Sequence, residues 1–136
     1  MNIIVCVDDN GGMLFNSRRQ SRDRVLIEDV LSNLGDKKIH ISSFSRILFE
    51  KFEDRCVVDE DFLKNALPED VCFVENFDIV PYLNRIEQIT VYRWNRRYPG
   101  DFFFDVDLEK EGFSKKSCYD FEGYSHEKIT REIFGR

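Results

Sequence analysis

The side chains of this sequence that could take part in catalysis or metal binding do not form a recognised catalytic motif. His40 and His126 are far apart and lack the H-E-x-x-H or cysteine spacing of a metal site. No G-x-S-x-G segment or P-loop is present. Asp101, Asp105 and Asp107 alternate along a segment predicted to be extended, so Asp101 and Asp105 could share a strand face and bind a divalent ion. A solvated edge or turn explains the same spacing, and we predict no metal site.

Arginine is concentrated in one stretch that contains Arg18, Arg19, Arg22 and Arg24. Such a cluster could clamp a nucleotide, RNA or another anionic ligand. The chain as a whole carries a net charge of −6, which repels nucleic acid and acidic membranes. A nucleic-acid function would therefore depend on this local patch, and solvated arginines are the simpler interpretation.

The four cysteines indicate free thiols rather than a disulfide framework. Cys6, Cys56 and Cys72 lie inside apolar runs, and no C-x-x-C pair occurs. Buried thiols of this kind are typical of a reducing compartment. The apolar run at residues 3–7 ends at Asp8 and is too short for a signal peptide or a membrane span. We expect a cytoplasmic protein.

The periodicity of apolar residues over residues 1–136 predicts one α/β domain with a mixed, mostly parallel sheet, flanking helices and a C-terminal antiparallel hairpin. The predicted strands are 2–7, 38–42, 55–58, 71–74 and 89–94, with a closing pair at 113–121 and 127–133. The predicted helices are 21–34, capped by Ser21, then 43–52 and 59–66, with one or two helical turns at 78–83. Residues 13–20 are predicted to be a loop.

Several segments, in order, resemble dihydrofolate reductases. IIVCVDDNGGMLFN, at residues 3–16, is similar to that family's opening strand and turn, an apolar run followed by D-x-N-x-x-I-G-x-x-N. IEQITVYRWNRRYPGDFFFDVDL, at residues 86–108, resembles its late strand and the glycine-aspartate, aromatic and acidic stretch that follows. FSKKSCYDFEGYSHEKITREIF, at residues 113–134, resembles its closing strands. DVCFVENFDIVPYLNRIEQ, at residues 70–88, lies where the family has a strand, a glycine pair and a short helix. The resemblance covers about 100 residues.

The resemblance implies reduction of dihydrofolate by NADPH, with a pterin site built around one carboxylate. Asp23 matches the catalytic acid that holds the amino-pyrimidine edge and assists protonation of the ring. A first-turn aspartate that complements the helix dipole is the alternative reading. Ile27 could form part of the apolar wall of the pterin site, and Arg55 could bind the glutamate carboxylate of folate. Tyr92 replaces the threonine usually found beside the acid.

The departures from the family cluster on the cofactor site. The segment ISSFSRILF, at residues 41–49, replaces the G-R-x-T stretch whose helix N-terminus binds phosphates, so only Ser43, Ser45 and Arg46 remain as weak cofactor candidates. Glu75 and Asn76 replace the glycine pair, and a glutamate facing a diphosphate is electrostatically unfavourable. About 20 residues of the adenosine-binding lobe are also missing between Arg55 and Val71.

Three functions follow as hypotheses. The first is a non-catalytic member of this fold, with lost or weakened NADPH binding, that binds a pterin-like small molecule or a protein. The second is an active NADPH-dependent oxidoreductase of dihydrofolate or a related pterin. The third is a nucleotide- or RNA-binding protein that uses the Arg18–Arg24 cluster. The resemblance at both ends of the chain and the presence of Asp23 favour the second hypothesis. Glu75, Asn76 and the missing adenosine-binding lobe favour the first.

Overall fold

A computed structural model describes residues 1–136 and is built around one seven-stranded sheet. Its strands in chain order are β1 (Asn2–Val7), β4 (Ile39–Ile41), β5 (Cys56–Val58), β6 (Val71–Phe73), β7 (Gln88–Arg93), β9 (Ser114–Phe121) and β10 (Ile129–Gly135). Their spatial order is β5-β4-β6-β1-β7-β10-β9. The first five strands pair in parallel, and β10 runs antiparallel to both β7 and β9. The predicted mixed, mostly parallel sheet with a closing antiparallel hairpin is confirmed.

β1 lies at the centre of this sheet because its side chains are apolar on both faces. Ile3, Val5 and Val7 point into one hydrophobic cluster, and Ile4 points into the other. A strand buried on both faces is a near-continuous apolar run, which is what residues 2–7 provide. The carboxyl ends of β1 and β7 therefore lie side by side and lead into the loops that form the candidate site.

The only α-helix, α1, spans Arg24–Ser32 and packs Leu26, Ile27, Val30 and Leu31 against one sheet face. The helix is shorter than predicted at both ends, and its cap is Asp23 rather than Ser21. Asp23 has extended backbone dihedrals and accepts hydrogen bonds from the backbone N–H groups of Val25 and Leu26. Ser21 is not available as a cap because its hydroxyl bonds to a side chain from the other end of the chain.

Two further helical segments are 3-10 helices, at Ser43–Arg55 and Val80–Arg85. The longer one, called the 3-10 segment below, is kinked at Phe49 and Phe52 and replaces the predicted α-helix 43–52. The helix predicted at 59–66 is wrong, because those residues form only turns. The carboxylate of Asp59 accepts from the backbone of Asp61 and the side chain of Asn65, which satisfies these groups locally without a helix.

Residues predicted as a loop instead form a small second sheet of β2 (Gly12–Phe15), β3 (Arg18–Arg19) and β8 (Phe102–Phe103). Asn16 and Ser17 both have positive φ, at 51° and 61°, and form the two-residue turn that joins β2 to β3. This hairpin carries Arg19 back toward the large sheet. No helix in the structure has the length and apolar character needed to cross a bilayer.

Candidate functional site

The candidate site is centred on Asp23, whose carboxylate is fully enclosed at the N-terminus of α1. Its side chain is 0% exposed. Oδ1 accepts hydrogen bonds from the backbone N–H groups of Val25 and Tyr124, each at 2.9 Å. Oδ2 accepts from the backbone N–H of Ser125 at 2.9 Å and faces Nδ1 of His126 at 2.8 Å. Both oxygens are therefore occupied by groups of the protein itself.

These contacts keep Asp23 ionised. Burial acts to raise the pKa of Asp23, but hydrogen bonds from the backbone of Tyr124, the side chain of His126 and the backbone of Ser125 outweigh it. The pKa falls from 3.8 to about 2. A carboxylate that only accepts hydrogen bonds fixes the proton of the facing imidazole on Nδ1.

His126 connects Asp23 to two hydroxyl groups on its other side. Its Nε2 lies 2.9 Å from the hydroxyl of Ser21 and 3.1 Å from that of Tyr98. The Tyr98 hydroxyl also donates to Ser21 at 3.3 Å. The imidazole stacks on Trp94, with ring centroids 4.6 Å apart, and is buried. Stacking on one face and hydrogen bonds at both nitrogens hold the ring in one orientation.

The loop at residues 122–126 reaches Asp23 so closely because Gly123 has no side chain. A Cβ at this position would lie 2.6 Å from Oδ2 of Asp23 and 2.8 Å from Cδ1 of Ile129. The backbone N–H of Gly123 also donates to the carbonyl oxygen of His126, which closes the turn. The loop and the helix N-terminus thus form one unit although they are distant in sequence.

A second buried carboxylate, Glu75, follows β6 and is neutralised by Arg19. The guanidinium donates to both carboxylate oxygens, at 2.9 and 3.0 Å, and also to the carbonyl oxygen of Phe44. Ser45 donates its hydroxyl to Glu75 at 2.8 Å. Arg19 comes from the β2–β3 hairpin, so a residue of the arginine cluster is used here as an internal partner.

The residues that the resemblance assigns to the cofactor do not fit a diphosphate. The Ser45 hydroxyl is taken by Glu75, and the backbone N–H of Ser43 donates to the carboxylate of Glu60 at 2.7 Å. Arg46 is 62% exposed and lies 3.9 Å from Glu53. A phosphate at the start of the 3-10 segment would lie near the carboxylates of Glu60 and Glu75, and both would repel it.

Two adjoining spaces border Asp23. A small cavity of about 20 Å³ is lined by Ser21 and Trp94, among others. A wider groove of about 610 Å³ runs between α1 and the 3-10 segment. The two spaces share the lining residues Arg22, Asp23, Ile27 and Leu48. The groove is lined by apolar and aromatic side chains and by charged side chains of both signs; these residues include Val25, Ile47, Phe52, Tyr124, Arg24, Lys51, Glu28 and Glu50.

Of the predicted substrate-binding residues, the structure brings Asp23 and Ile27 together at these spaces and leaves two outside. Arg55 donates to the carbonyl oxygens of Gly35 and Lys37, at 2.7 and 3.0 Å, and holds the turn after α1. Tyr92 donates to Asp29 at 2.6 Å and borders a separate cavity of about 230 Å³. Neither residue lines the groove, and their roles in binding stay predictions.

Sequence reasoning missed the groups that surround Asp23. His126 was noted only as an isolated histidine, and Ser21 only as a helix cap. The imidazole and the carboxylate are 103 residues apart in the chain, so no local spacing could have joined them. A weak signal was present in the GYSHE segment at residues 123–127, where a glycine and polar residues precede the histidine.

Comparison with known proteins supports the architecture. No protein-family model and no curated protein sequence matches the chain. Among solved structures, a dihydrofolate reductase from Enterococcus faecalis, complexed with NADP(H) and RAB-propyl, superposes with a TM-score of 0.65 at 11% sequence identity. The match covers 99% of this chain and 95% of that one. At this identity the likeness concerns the fold alone: the chain has a dihydrofolate reductase-like fold.

Proposed function

We propose that this protein is a binding domain on a dihydrofolate reductase-like fold, without nicotinamide-dependent reductase activity, which takes a flat, pterin-like molecule in the groove between α1 and the 3-10 segment. The observation that carries the proposal is that the carboxylates of Glu75 and Asp23 are both occupied by partners within the protein. Glu75 is paired with Arg19 and Ser45, and both oxygens of Asp23 already accept hydrogen bonds. These internal partners speak against nicotinamide-dependent reduction and support lost or weakened NADPH binding.

The groove supports a ligand of this class. Ile47 and Phe52 offer apolar contact, and the guanidinium of Arg24 lies over the ring of Tyr124 at 4.0 Å. Arg22, Arg24 and Lys51 can pair with a carboxylate of the ligand, and Glu28 and Glu50 in the same lining can accept hydrogen bonds from amino groups such as those of a pterin. The connection between β5 and β6, residues 59–70, contains no strand or helix, which agrees with a reduced adenosine-binding region.

The alternative is an active NADPH-dependent oxidoreductase of dihydrofolate or a related pterin, as the Enterococcus faecalis neighbour's NADP(H) complex suggests. This alternative requires displacement of the 122–126 loop from Asp23 and of Arg19 from Glu75. A nucleic-acid function is disfavoured by the net charge of −6 and by the pairing of Arg19 with Glu75.

Thermal unfolding with three ligands tests the proposal. Dihydrofolate or a diaminopyrimidine antifolate, at 100 times its Kd, should raise the Tm by at least about 5 °C, and NADPH should not raise it. Ile47→Ser should reduce the shift. Val80→Ser is the matched control, because Val80 is 49% exposed, against 47% for Ile47, and lies outside the groove.

A Tm increase with NADPH, accompanied by loss of NADPH absorbance when dihydrofolate is added, would replace the proposal with the reductase alternative. No shift with dihydrofolate or antifolate would remove the pterin-like ligand.

A further inference from the structure

A serine hydroxyl, an imidazole and a carboxylate form a continuous chain at the edge of the small cavity. Ser21 Oγ lies 2.9 Å from His126 Nε2, and His126 Nδ1 lies 2.8 Å from Asp23 Oδ2. In hydrolases the same order activates a serine, because the imidazole removes the hydroxyl proton while the carboxylate orients the ring. Both distances fall within the range required for such transfer.

The two ring nitrogens of His126 are placed as a general base needs. Nδ1 faces the carboxylate of Asp23, which only accepts hydrogen bonds, and Nε2 is the atom that faces the hydroxyl of Ser21. The stacked ring of Trp94 and the backbone donors on Asp23 hold this arrangement fixed. Tyr98 is the only other titratable group that contacts the imidazole, and it can donate to Ser21 without displacing the base.

Backbone donors for a developing negative charge lie beside the serine. The N–H groups of Ser21 and Arg22 donate no hydrogen bond to another backbone group of the protein. The amide that follows a nucleophilic serine is a common oxyanion donor. The cationic side chain of Arg22 is exposed and borders both spaces.

The shape of the two spaces selects the substrate class. The cavity beside Ser21 has about 20 Å³, which admits one water-sized group. The adjoining groove is far larger and has aromatic walls. The methyl of an acetyl group fits the cavity, and an aromatic alcohol portion fits the groove.

We propose that Ser21 is the nucleophile of a serine esterase site that hydrolyses short-chain acyl esters of aromatic alcohols. Ser21 Oγ attacks the carbonyl carbon as its proton passes to His126 Nε2. The carbon–oxygen bond to the alcohol breaks, and the alcohol leaves with that proton. Water then attacks the acyl-serine, again through His126, which releases the carboxylic acid and restores the hydroxyl. No oxidant, reductant or metal takes part.

Covalent labelling of the protein tests the site. A fluorophosphonate should add one adduct, found by intact mass and mapped by peptide sequencing to Ser21. Ser21→Ala should abolish the adduct and lower 4-nitrophenyl acetate hydrolysis at least about 100-fold. Ser117→Ala, an exposed serine on β9, is the control and should leave both unchanged.

If the labelling rate of Ser21 depends on His126, the serine is activated by a base and is not merely a reactive surface group. His126→Gln should lower the labelling rate at least about 100-fold while circular dichroism remains native. If that variant unfolds, the pH profile of the wild-type labelling rate decides, since a general base acts only in its unprotonated form and the rate must therefore rise with pH. No adduct at Ser21, hydrolysis that survives Ser21→Ala, or a rate independent of pH would overturn the proposal. These readouts are independent of whether dihydrofolate shifts the Tm.

Discussion

Two buried carboxylates of this protein, Asp23 and Glu75, are stabilised in chemically different ways. Glu75 is matched by the permanent charge of Arg19 and by one hydroxyl. Asp23 has no arginine or lysine partner and instead accepts from backbone N–H groups and from an imidazole. Arginine does not lose its proton in proteins, whereas histidine exchanges one near neutral pH. The first arrangement is suited to closing a space, and the second is suited to moving a proton.

This difference bears on how the fold is used. The Glu75 pair lies where the resemblance expects cofactor phosphates, and it fixes the β2–β3 hairpin against the 3-10 segment. The Asp23 unit lies where the resemblance expects the pterin, and it is directly connected to a hydroxyl beside a cavity. Chemistry on this scaffold is therefore expected at Asp23 rather than at Glu75.

The largest expected effect comes from breaking the Glu75 pair. Arg19→Leu leaves an uncompensated carboxylate in a nearly buried position, since the Glu75 side chain is only 10% exposed. We expect a loss of about 3–5 kcal/mol in the free energy of unfolding, measured by urea denaturation. Arg46→Leu removes an exposed pair with Glu53 and should cost less than about 1 kcal/mol.

The double variant Arg19→Leu/Glu75→Leu tests whether this loss comes from the unpaired charge of Glu75. It removes both charges and should recover most of the stability lost in Arg19→Leu. A double variant as unstable as the single one would mean that the pair contributes through packing rather than through charge.

The second largest expected effect is a loss of stability at low pH that depends on Asp23. Because the folded-state pKa of Asp23 is lowered to about 2 from 3.8, its ionisation stabilises the fold above pH 4. That contribution is lost as the pH falls from 4 toward 2, because the unfolded carboxylate binds a proton in this range while the folded one largely does not. The stability difference between wild type and Asp23→Asn should therefore narrow by about 2 kcal/mol between pH 6 and pH 2.

Urea denaturation across that pH range measures the difference. Asp36→Asn, at an exposed position after α1, is the control and should run parallel to wild type. A constant gap between wild type and Asp23→Asn would contradict the ionised state assigned to Asp23.

The smallest expected effect separates reactivity from stability within the Asp23 unit. Ser21→Ala removes one hydroxyl from His126, but Tyr98 can still donate to Nε2 from 3.1 Å. We expect a cost of only about 1 kcal/mol in urea denaturation. A cost well above this would make Ser21 a structural residue and would weaken its assignment as a nucleophile.

Much of the sheet could be predicted from the sequence because its strands are short apolar runs with a strong local signal. β1, β7 and the closing hairpin were located correctly from alternation and β-branched residues. The 59–66 turns were misread as a helix, since local side-chain hydrogen bonds from Asp59 compete with helix formation. The β2–β3 hairpin was missed because Asn16 and Ser17 form a left-handed turn without glycine.

The sequence by itself determined the α/β class and the central position of β1, and it placed the carboxylate of Asp23 near the start of α1, because each depends on residues near one another in the chain. Only the tertiary structure decided which groups meet that carboxylate. It brings His126, from the loop between β9 and β10, and Ser21, from the loop before α1, to the carboxyl end of the parallel strands. Contacts between residues about 100 positions apart follow from sheet order and loop packing, and no local pattern encodes them.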